Sequence, residues 1–404
     1  MKKLPLFTLF FLIIVICIFL IRENGLQLFK PYTVRPISYL TYNDLVNLSK
    51  QTKITGYLSL KLQKQLTTPY VVNISSDSNS LNRQYLRLAQ WNIERGLRSG
   101  KIQNILSKKI SLSNKELRDF VESDIISLNE ADIGVPRTNY KNVVSELAAS
   151  INYNYAFTTE FIELGPIIYK EILDPKQYLG LHGSAILSRY PIISARILKL
   201  PQCYNWFEKE ISMKSPLEYG RRVGAKAVFK VQINNEPRRG GRNALIVDIK
   251  LPNDEIITVV STHLEDRCYS SCRLKQIKYL LENLKYLKRP IVIAGDFNTT
   301  TTDTAPTSVK KEIGKRIKDP HFIARQFALA LIPGFQFGVG SLAAGTIRGA
   351  LHYKDPTALN IPVLFPNQER ELFMYLKDFK FNDGEGFDFS GDMSSNGKGG
   401  LLAN

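Results

Sequence analysis

Residues 290–299 read PIVIAGDFNT, and the fold is expected to be organised around them. Ile291 to Ala294 form a short apolar run of the kind that becomes a strand buried on both faces. Gly295 ends the run, and Asp296 and Asn298 follow directly. In an extended backbone, residues two apart point to the same side. The stretch therefore predicts a carboxylate beside an amide at the carboxyl end of a strand, and the alternative is an ordinary turn with local side-chain capping.

The composition is that of a folded protein with an excess of basic residues. Of the 404 residues, 44% are hydrophobic and 23% are charged, which excludes a disordered chain. The length suits one large domain or two smaller ones. A formal net charge of +17 favours anionic partners such as nucleic acid, phospholipid headgroups or phosphorylated small molecules. A basic, solvated surface with no specific partner is the alternative interpretation.

Cysteine usage excludes a structural zinc site. The chain has four cysteines, and Cys17, Cys203, Cys268 and Cys272 do not form the two pairs that such a site needs. A bridge between Cys268 and Cys272 would form only in an oxidising compartment and would leave Cys203 unpaired. Free, buried thiols are therefore expected.

The N-terminus predicts attachment to a membrane. Lys2 and Lys3 precede an uncharged run over residues 4–21, which is long enough to span the hydrocarbon core. No small residues mark a cleavage site at its end, so an uncleaved single-pass anchor is favoured over a cleaved signal peptide. Basic residues before the run would stay in the cytosol, which places the rest of the chain on the non-cytoplasmic side. Secretion after signal cleavage is the alternative.

Patterning divides the chain into three parts. These are an anchor over residues 1–23, a tether with a small helical lead-in over 24–84, and a main domain over 85–404. Within the main domain the core motifs cover residues 85–300 and a C-terminal insertion covers 301–404. Strands are predicted at 86–93, 124–130, 184–187, 225–233, 243–251, 256–262 and 291–294, with an amphipathic helix at 273–287. This mixture predicts a layered α/β fold.

Polar residues of one chemical kind stand at the ends of several predicted strands. They are Asn92 in WNIERG, Glu130 in SLNEAD, His182 in GLHGSAILSRYP, His263 in STHLE, and Asp296 with Asn298 in the opening stretch. This succession, in this order and spacing, resembles the endonuclease/exonuclease/phosphatase (DNase I-like) superfamily of metal-dependent phosphoesterases over residues 85–300. Residues 200–210 and 262–267 are similar to a bacterial, often membrane-associated, branch of it.

The resemblance implies a four-layer α/β sandwich, with two mixed sheets face to face and helices outside. It also implies that Glu130 is a metal ligand and that Asn92 supports both the metal and the phosphate. A carboxylate suits Mg²⁺, a hard cation that takes one or two protein oxygens together with substrate phosphate. Mn²⁺ is the alternative ion.

The same resemblance gives roles to five further residues. His263 would donate a hydrogen bond to the scissile phosphate, and Asp296 would orient or deprotonate the attacking water. Asn298 would steady the transition-state oxygens. His182 would lie near the pocket mouth and bind substrate, and Arg95 would contact phosphate. The alternative is that both histidines are core residues with satisfied hydrogen bonds.

The sequence departs from this family in its C-terminal part. The family ends in a strand that bears an aspartate and then a Ser-Asp-His element, but His321 and His352 stand in no such context. A truncated chain that lacks its last strands is therefore expected, and the alternative is that another residue has taken over the role of the missing histidine. The predicted protein is a membrane-tethered, monomeric, Mg²⁺-dependent phosphoesterase acting on nucleic acid, phospholipid or a small phosphoester. The alternative is a catalytically impaired or dead membrane-anchored module that binds an anionic polymer or lipid.

Overall fold

A computed structural model describes residues 36–74, 85–108, 120–165, 173–212, 237–299 and 369–388. The chain divides into two compact units, Met1–Arg35 and Pro36–Asn404, and the described residues all belong to the second. The predicted anchor over residues 1–23, the predicted strand at 225–233, and both His321 and His352 lie outside the described residues. Within the described ranges, no helix combines the length and apolar composition needed to cross a membrane.

The described residues form both helices and strands. The helices are α1 (Tyr42–Lys50), α2 (Gly56–Thr67), α3 (Ser99–Leu106), α4 (Val143–Ile151), α5 (Trp206–Ser212), α6 (Ser270–Leu284) and α7 (Arg370–Asp378). The strands are β1 (Tyr70–Val72), β2 (Leu88–Asn92), β3 (Ile125–Ile133), β4 (Asn154–Glu163), β5 (Leu181–Ser188), β6 (Ile192–Lys199), β7 (Arg238–Gly240), β8 (Asn243–Lys250), β9 (Ile256–His263) and β10 (Ile291–Asp296). Short 3₁₀ helices cover Glu94–Gly96 and Pro136–Thr138.

The strands form two mixed sheets. The first has the order β1-β4-β5-β3-β2, with β7 also pairing with β4, and only β2 and β3 run parallel. The second has the order β10-β9-β8-β6, and only β9 and β10 run parallel. The predicted class, α/β with mixed sheets flanked by helices, is confirmed.

Side-chain alternation along the strands separates three cores. Ile125 packs in the core between the sheets, while its neighbour Ile126 packs with the helices of the first sheet. Likewise Leu245 faces the first sheet, while Ile246 packs with Leu280 of α6. The layers therefore run helices, sheet, sheet, helices.

Residues 36–74 belong to this domain and not to a tether. Leu45 and Leu48 of α1 are fully buried in the helical core of the first sheet. Strand β1 extends that sheet by pairing with β4. Gln65 of α2 donates a hydrogen bond to Thr159 Oγ1 at 3.0 Å. Sequence analysis could not detect this packing, because helical spacing alone does not show what a helix packs against.

Strand β10 is half-buried along its whole length, which corrects the expectation of a strand buried on both faces. Within the described residues it pairs only with β9 and so stands at an edge of the second sheet. Its register places Asp296 beside His263.

Helix α7 packs against the outer face of the second sheet. Arg273 of α6 donates to Glu369 Oε1, at 3.0 Å from Nε and 2.5 Å from Nη2, and both side chains are buried. The rings of Phe297 and Phe373 lie 6.5 Å apart. Helix α7 is therefore held against both α6 and the residue that follows Asp296.

Cys203 and Cys272 form a disulfide, with their Cα atoms 6.0 Å apart. This corrects the expectation of free thiols, and it also differs from the Cys268–Cys272 alternative. Sequence spacing could not show it, because the bridge joins the segment after β6 to the first turn of α6. Cys268 keeps a free thiol, and burial raises its pKa to about 12.

Candidate functional site

The site forms where the carboxyl ends of the two parallel strand pairs meet. Asn92 ends β2 and Asp296 ends β10, so they come from opposite sheets. Asn92 Nδ2 donates a hydrogen bond to Asp296 Oδ2 at 2.8 Å, although the residues are 204 positions apart. The two predicted strand ends are therefore parts of one cluster.

Asn129 links the two sheets immediately beneath this contact. Its Oδ1 accepts from Gln90 Nε2 and from the backbone N–H of Asp296, each at 2.8 Å. Its Nδ2 donates to Ser184 Oγ at 2.8 Å and to Thr262 O at 3.2 Å. The buried amide thus uses both its acceptor sites and both its donors. It fixes the backbone of Asp296 relative to the first sheet.

Glu130 follows Asn129 at an irregularity in the sheet. The register between β3 and β5 shifts between Leu128 and Ala131, and Glu130 has a φ of 57°. Such a bulge re-aims a side chain out of the regular alternation. The Glu130 side chain is half-buried, and no described residue donates a hydrogen bond to its carboxylate. This carboxylate is available for a cation.

Three predicted site residues and the neighbouring Glu94 have a left-handed backbone conformation, which five other described residues with a Cβ also adopt. Glu94, Arg95, Glu130 and Asn298 have φ values of 52°, 64°, 57° and 50°. Each costs conformational free energy in a residue with a Cβ, and such strain tends to cluster at functional sites. The Glu94 N–H donates to Asn92 Oδ1 at 3.0 Å, so the turn that carries Arg95 also fixes the Asn92 amide.

Asp296 and Asn298 form a tight turn. The Asn298 N–H donates to Asp296 Oδ1 at 2.9 Å, and Asn298 Nδ2 donates to Leu264 O at 2.8 Å. The predicted extended backbone is wrong here, since the left-handed Asn298 follows the turn alternative. The turn still places both residues beside the end of β9, because the Leu264 N–H donates to Asp296 O at 2.9 Å.

His263 is buried in a network of charged residues. Arg242 Nη1 lies 2.7 Å from His263 Nδ1 and 2.9 Å from Glu160 Oε2, while Arg242 Nη2 lies 3.0 Å from Asp266 Oδ1. Ser184 Oγ donates to the other Glu160 oxygen at 2.5 Å. Burial, followed by the charge of Arg242, holds the pKa of His263 well below its usual range. The side chain is therefore a neutral imidazole at neutral pH.

His182 occupies a second buried network, which corrects its predicted place at the pocket mouth. The side chain is only 2% exposed, and Nδ1 lies 2.8 Å from Asp132 Oδ1. Arg137 Nε donates to the other Asp132 oxygen at 2.5 Å and pairs with both oxygens of Glu163 at 2.7 Å. Burial lowers the pKa of His182 to about 3. This residue fits the alternative of a satisfied core histidine.

Two clusters of described residues have metal-ligand chemistry, but both have other partners. Ligand atoms of Asp132, Glu163 and His182 lie within 4.8 Å of one another, and Arg137 supplies the positive charge there. The three sulfur atoms of Cys203, Cys268 and Cys272 form the other cluster, and two of them are joined in the disulfide. Glu130, with Asn92 beside its strand, therefore remains the better candidate for a divalent cation.

Sequence analysis predicted four residues of this cluster but did not predict the residues that support them. Asn92, Asp296, Asn298 and His263 are brought together at the joined ends of β2, β9 and β10. The residues that were missed are Asn129, Glu160, Ser184 and Arg242. Asn129 and Ser184 stand inside the quoted motifs SLNEAD and GLHGSA, which could have drawn attention to them. No pattern in the sequence marks Glu160 or Arg242.

Comparison with known proteins agrees with the fold. The model of the Endonuclease/Exonuclease/phosphatase family matches residues 89–319, which is more than half of the chain. No curated protein matches the chain.

Several solved structures are similar at low sequence identity. An endonuclease/exonuclease/phosphatase from Beutenbergia cavernae is 17% identical with a TM-score of 0.30, over 55% of this chain and 49% of that one. A family protein from Bacteroides thetaiotaomicron is 13% identical with a TM-score of 0.32, over 54% of this chain and 64% of that one. ANGEL2, described as a 2',3'-cyclic phosphatase, is 14% identical with a TM-score of 0.30, over 57% of this chain and 56% of that one. The chain thus covers less than two thirds of each of these three structures.

Proposed function

This chain belongs to the endonuclease/exonuclease/phosphatase family, and from that membership we propose that it hydrolyses phosphoric esters by metal-assisted attack of water on phosphorus. The observation that carries the proposal is the contact between Asn92 and Asp296 at 2.8 Å. It joins the polar ends of strands from both sheets into one cluster. Asn129 holds that cluster from below through hydrogen bonds to both sheets.

The residues present fit a hard divalent cation, which we propose is Mg²⁺, with Mn²⁺ as the alternative. Glu130 offers a half-buried carboxylate that no described residue engages, and Asn92 offers an amide oxygen. Mg²⁺ prefers such oxygen ligands and keeps several of its waters. When bound, the ion would neutralise charge that develops on the phosphoryl oxygens.

Asp296 is the proposed residue for orienting and deprotonating the attacking water. Each of its carboxylate oxygens already accepts one hydrogen bond, Oδ2 from Asn92 and Oδ1 from the Asn298 N–H. A carboxylate has about four lone-pair sites, so both oxygens can still accept from water. The two donors hold the carboxylate in one orientation, as general base catalysis requires.

His263 and Asn298 are the proposed donors to the phosphate. His263 stands beside Asp296 in the parallel register, and Asn298 is held against the end of the same strand. Donors already fixed by the fold stabilise developing negative charge without reorganisation. Arg95, in the strained turn after Asn92, is proposed to contact phosphate as well.

The proposed substrates are phosphodiesters or phosphomonoesters in nucleic acid, in phospholipid or in a small molecule. The net charge of +17 supports an anionic substrate. We further propose a monomer tethered by residues 1–23, with this domain on the non-cytoplasmic side. That part of the proposal rests on the apolar N-terminal run and the lysines before it.

Hydrolysis assays on charge-neutralised variants test the function. Model phosphodiesters, phosphomonoesters, single-stranded DNA and phospholipid vesicles would be incubated with the protein, with and without Mg²⁺. Glu130→Gln and Asp296→Asn are each expected to lower kcat by about 10²- to 10⁴-fold. Glu146→Gln, which removes a half-exposed carboxylate paired with Lys141, is the matched control.

Equal turnover in wild type and both site variants would overturn the proposal. Absence of turnover on every substrate, together with salt-sensitive binding of DNA or vesicles, would instead assign a binding module.

A further inference from the structure

Arg242 lies between the buried side chains of Glu160 and His263 and contacts both. It lies between β7 and β8 and is 6% exposed. The two hydrogens of Nη1 meet Glu160 Oε2 at 2.9 Å and His263 Nδ1 at 2.7 Å. Nη2 is held by Asp266 Oδ1 at 3.0 Å. Two carboxylates therefore fix the guanidinium plane with one N–H aimed at the imidazole.

This geometry determines which ring nitrogen carries the proton. A guanidinium has only donors and remains charged in proteins, so a nitrogen that contacts it must accept. His263 Nδ1 consequently has no proton, and the neutral ring carries its proton on Nε2. We propose that Arg242 is a positioning residue that locks His263 in the Nε2–H tautomer and makes it a hydrogen-bond donor instead of a general base. The tautomer follows from the contacts, whereas its use toward phosphate rests on the proposed function.

The second buried histidine has the opposite arrangement. His182 Nδ1 lies 2.8 Å from Asp132 Oδ1, and the other Asp132 oxygen is already held by Arg137. A carboxylate accepts, so His182 carries its proton on Nδ1. The protein thus holds its two described histidines in different tautomers, one against an arginine and one against an aspartate.

Charged or titratable groups from five segments surround His263. They are Glu160 of β4, His182 of β5, Arg238 of β7, Arg242 before β8 and Asp266 after β9. Burial, followed by the charge of Arg242, lowers the pKa of the imidazole. Glu160 Oε2 lies only 3.6 Å from His263 Nδ1, so the carboxylate is the next acceptor available. Without Arg242, Glu160 would accept a hydrogen bond from a protonated Nδ1 and stabilise the imidazolium.

Nitrogen-15 NMR of labelled histidine side chains tests the tautomer directly. The chain has four histidines, and single His→Gln variants assign their signals. In wild type, His263 is expected to show a protonated Nε2 and a bare Nδ1, with no titration between pH 5.5 and 8.5. His182 is expected to show the reverse pattern and serves as an internal reference.

Substitution of Arg242 gives the second arm. Arg242→Met is expected to move the His263 proton to Nδ1 and to bring its titration into the measured pH range. Arg242→Lys keeps a charged donor and is expected to keep the Nε2–H tautomer. Arg289→Met removes a half-exposed arginine that pairs with Asp248, and it should leave the His263 signals unchanged.

Activity gives an independent readout. Arg242→Met should lower kcat about 10²-fold, the effect of losing one prearranged donor, with a smaller change in KM. Arg242→Lys should recover at least tenfold of that loss.

A protonated Nδ1 on His263 in wild type would overturn the proposal, as would an unchanged tautomer in a folded Arg242→Met protein. If Arg242→Met does not fold, the wild-type and Arg242→Lys spectra decide. If the spectra are as expected but wild type hydrolyses no phosphoester, the proposed function fails and the tautomer assignment stands.

Discussion

At the scale of single residues, the site depends on one buried side-chain amide whose donors and acceptor sites are all engaged. Asn129 makes four hydrogen bonds and is fully buried. The loss of one partner would leave buried donors or acceptors unpaired, at about 1–3 kcal/mol for each group. Such a network specifies one arrangement of the strand ends.

The two buried histidines make the protein sensitive to acid. Each has a folded-state pKa below its ordinary value of 6.5, and that of His182 is about 3. The unfolded chain takes up protons on them below about pH 6.5, whereas the folded chain does not. Their contribution to stability is complete above pH 6.5 and is lost progressively as pH falls toward 3.

We therefore expect His182, with a folded-state pKa of about 3, to lower the free energy of unfolding by about 2 kcal/mol between pH 6.5 and 5. His263 should add to the fall in the same direction. His182→Asn should show a shallower decline than wild type in urea titrations over that interval. The slopes between pH 7 and 8.5 should coincide, because neither histidine gains a proton there. Identical slopes below pH 6.5 would show that His182 is not protonated differently in the two states.

At the scale of elements, Gly295 controls how β10 joins the second sheet. It has a φ of +148°, and a Cβ there would lie 1.8 Å from Thr262 O. Gly295→Ala would force β10 away from β9 and would displace Asp296, the next residue. We expect a loss of about 3 kcal/mol or more in the free energy of unfolding, together with loss of hydrolysis.

Gly100→Ala is the matched control for that change. Its Cβ would meet nothing within 4 Å, and it lies in α3. A gain of up to about 1 kcal/mol is expected from helix propensity. If urea denaturation gave both variants the same stability, the close approach of β9 and β10 at Gly295 would be refuted.

At the scale of the whole molecule, the disulfide joins the two segments that border the His263 network. Trp206, three residues after Cys203, donates a hydrogen bond to Glu265 Oε2 at 3.2 Å. Cys272 lies in the first turn of α6, which follows β9 and His263 in the chain. The bridge closes a loop with a sequence separation of 69 residues. A cross-link of that length is expected to contribute about 4 kcal/mol, chiefly by constraining the unfolded chain.

We expect Cys203→Ser to lower the midpoint of urea unfolding and to remove its sensitivity to a dithiol reductant. Cys268→Ser changes the neighbouring free thiol and should leave both properties as in wild type. Labelling of wild type under denaturing, non-reducing conditions should modify Cys268 but neither Cys203 nor Cys272. Modification of all three would exclude the bridge.

Sequence analysis predicted most accurately the strands and the helix that follow a simple hydrophobic pattern. Strands β3, β8 and β9 and helix α6 were found at nearly their observed bounds, because apolar runs and a helical stripe mark them. Strand β4 was missed, since it is buried along its whole length and yet carries polar residues. In sequence, Glu160 of that strand resembles a solvent-facing residue, but in the structure it is buried and forms an ion pair with Arg242.

The site was predicted only in part for a similar reason. Residues at strand ends can be recognised singly, but their partners are distant in sequence. Asn129 is 167 positions from Asp296, and Arg242 is 82 positions from Glu160. No periodicity in a single sequence indicates that such distant residues are in contact. The tautomers of the two histidines could therefore be inferred only from the hydrogen bonds in the structure.

The contact between Phe297 and Phe373 has a consequence for the turn that carries Asp296 and Asn298. Phe297 stands between those two residues, and its ring packs with helix α7 in the core outside the second sheet. The turn is therefore supported from behind by an aromatic contact that contains no polar atom. A change on the buried face of α7 would reach the polar cluster through Phe297, without any direct contact to the cluster.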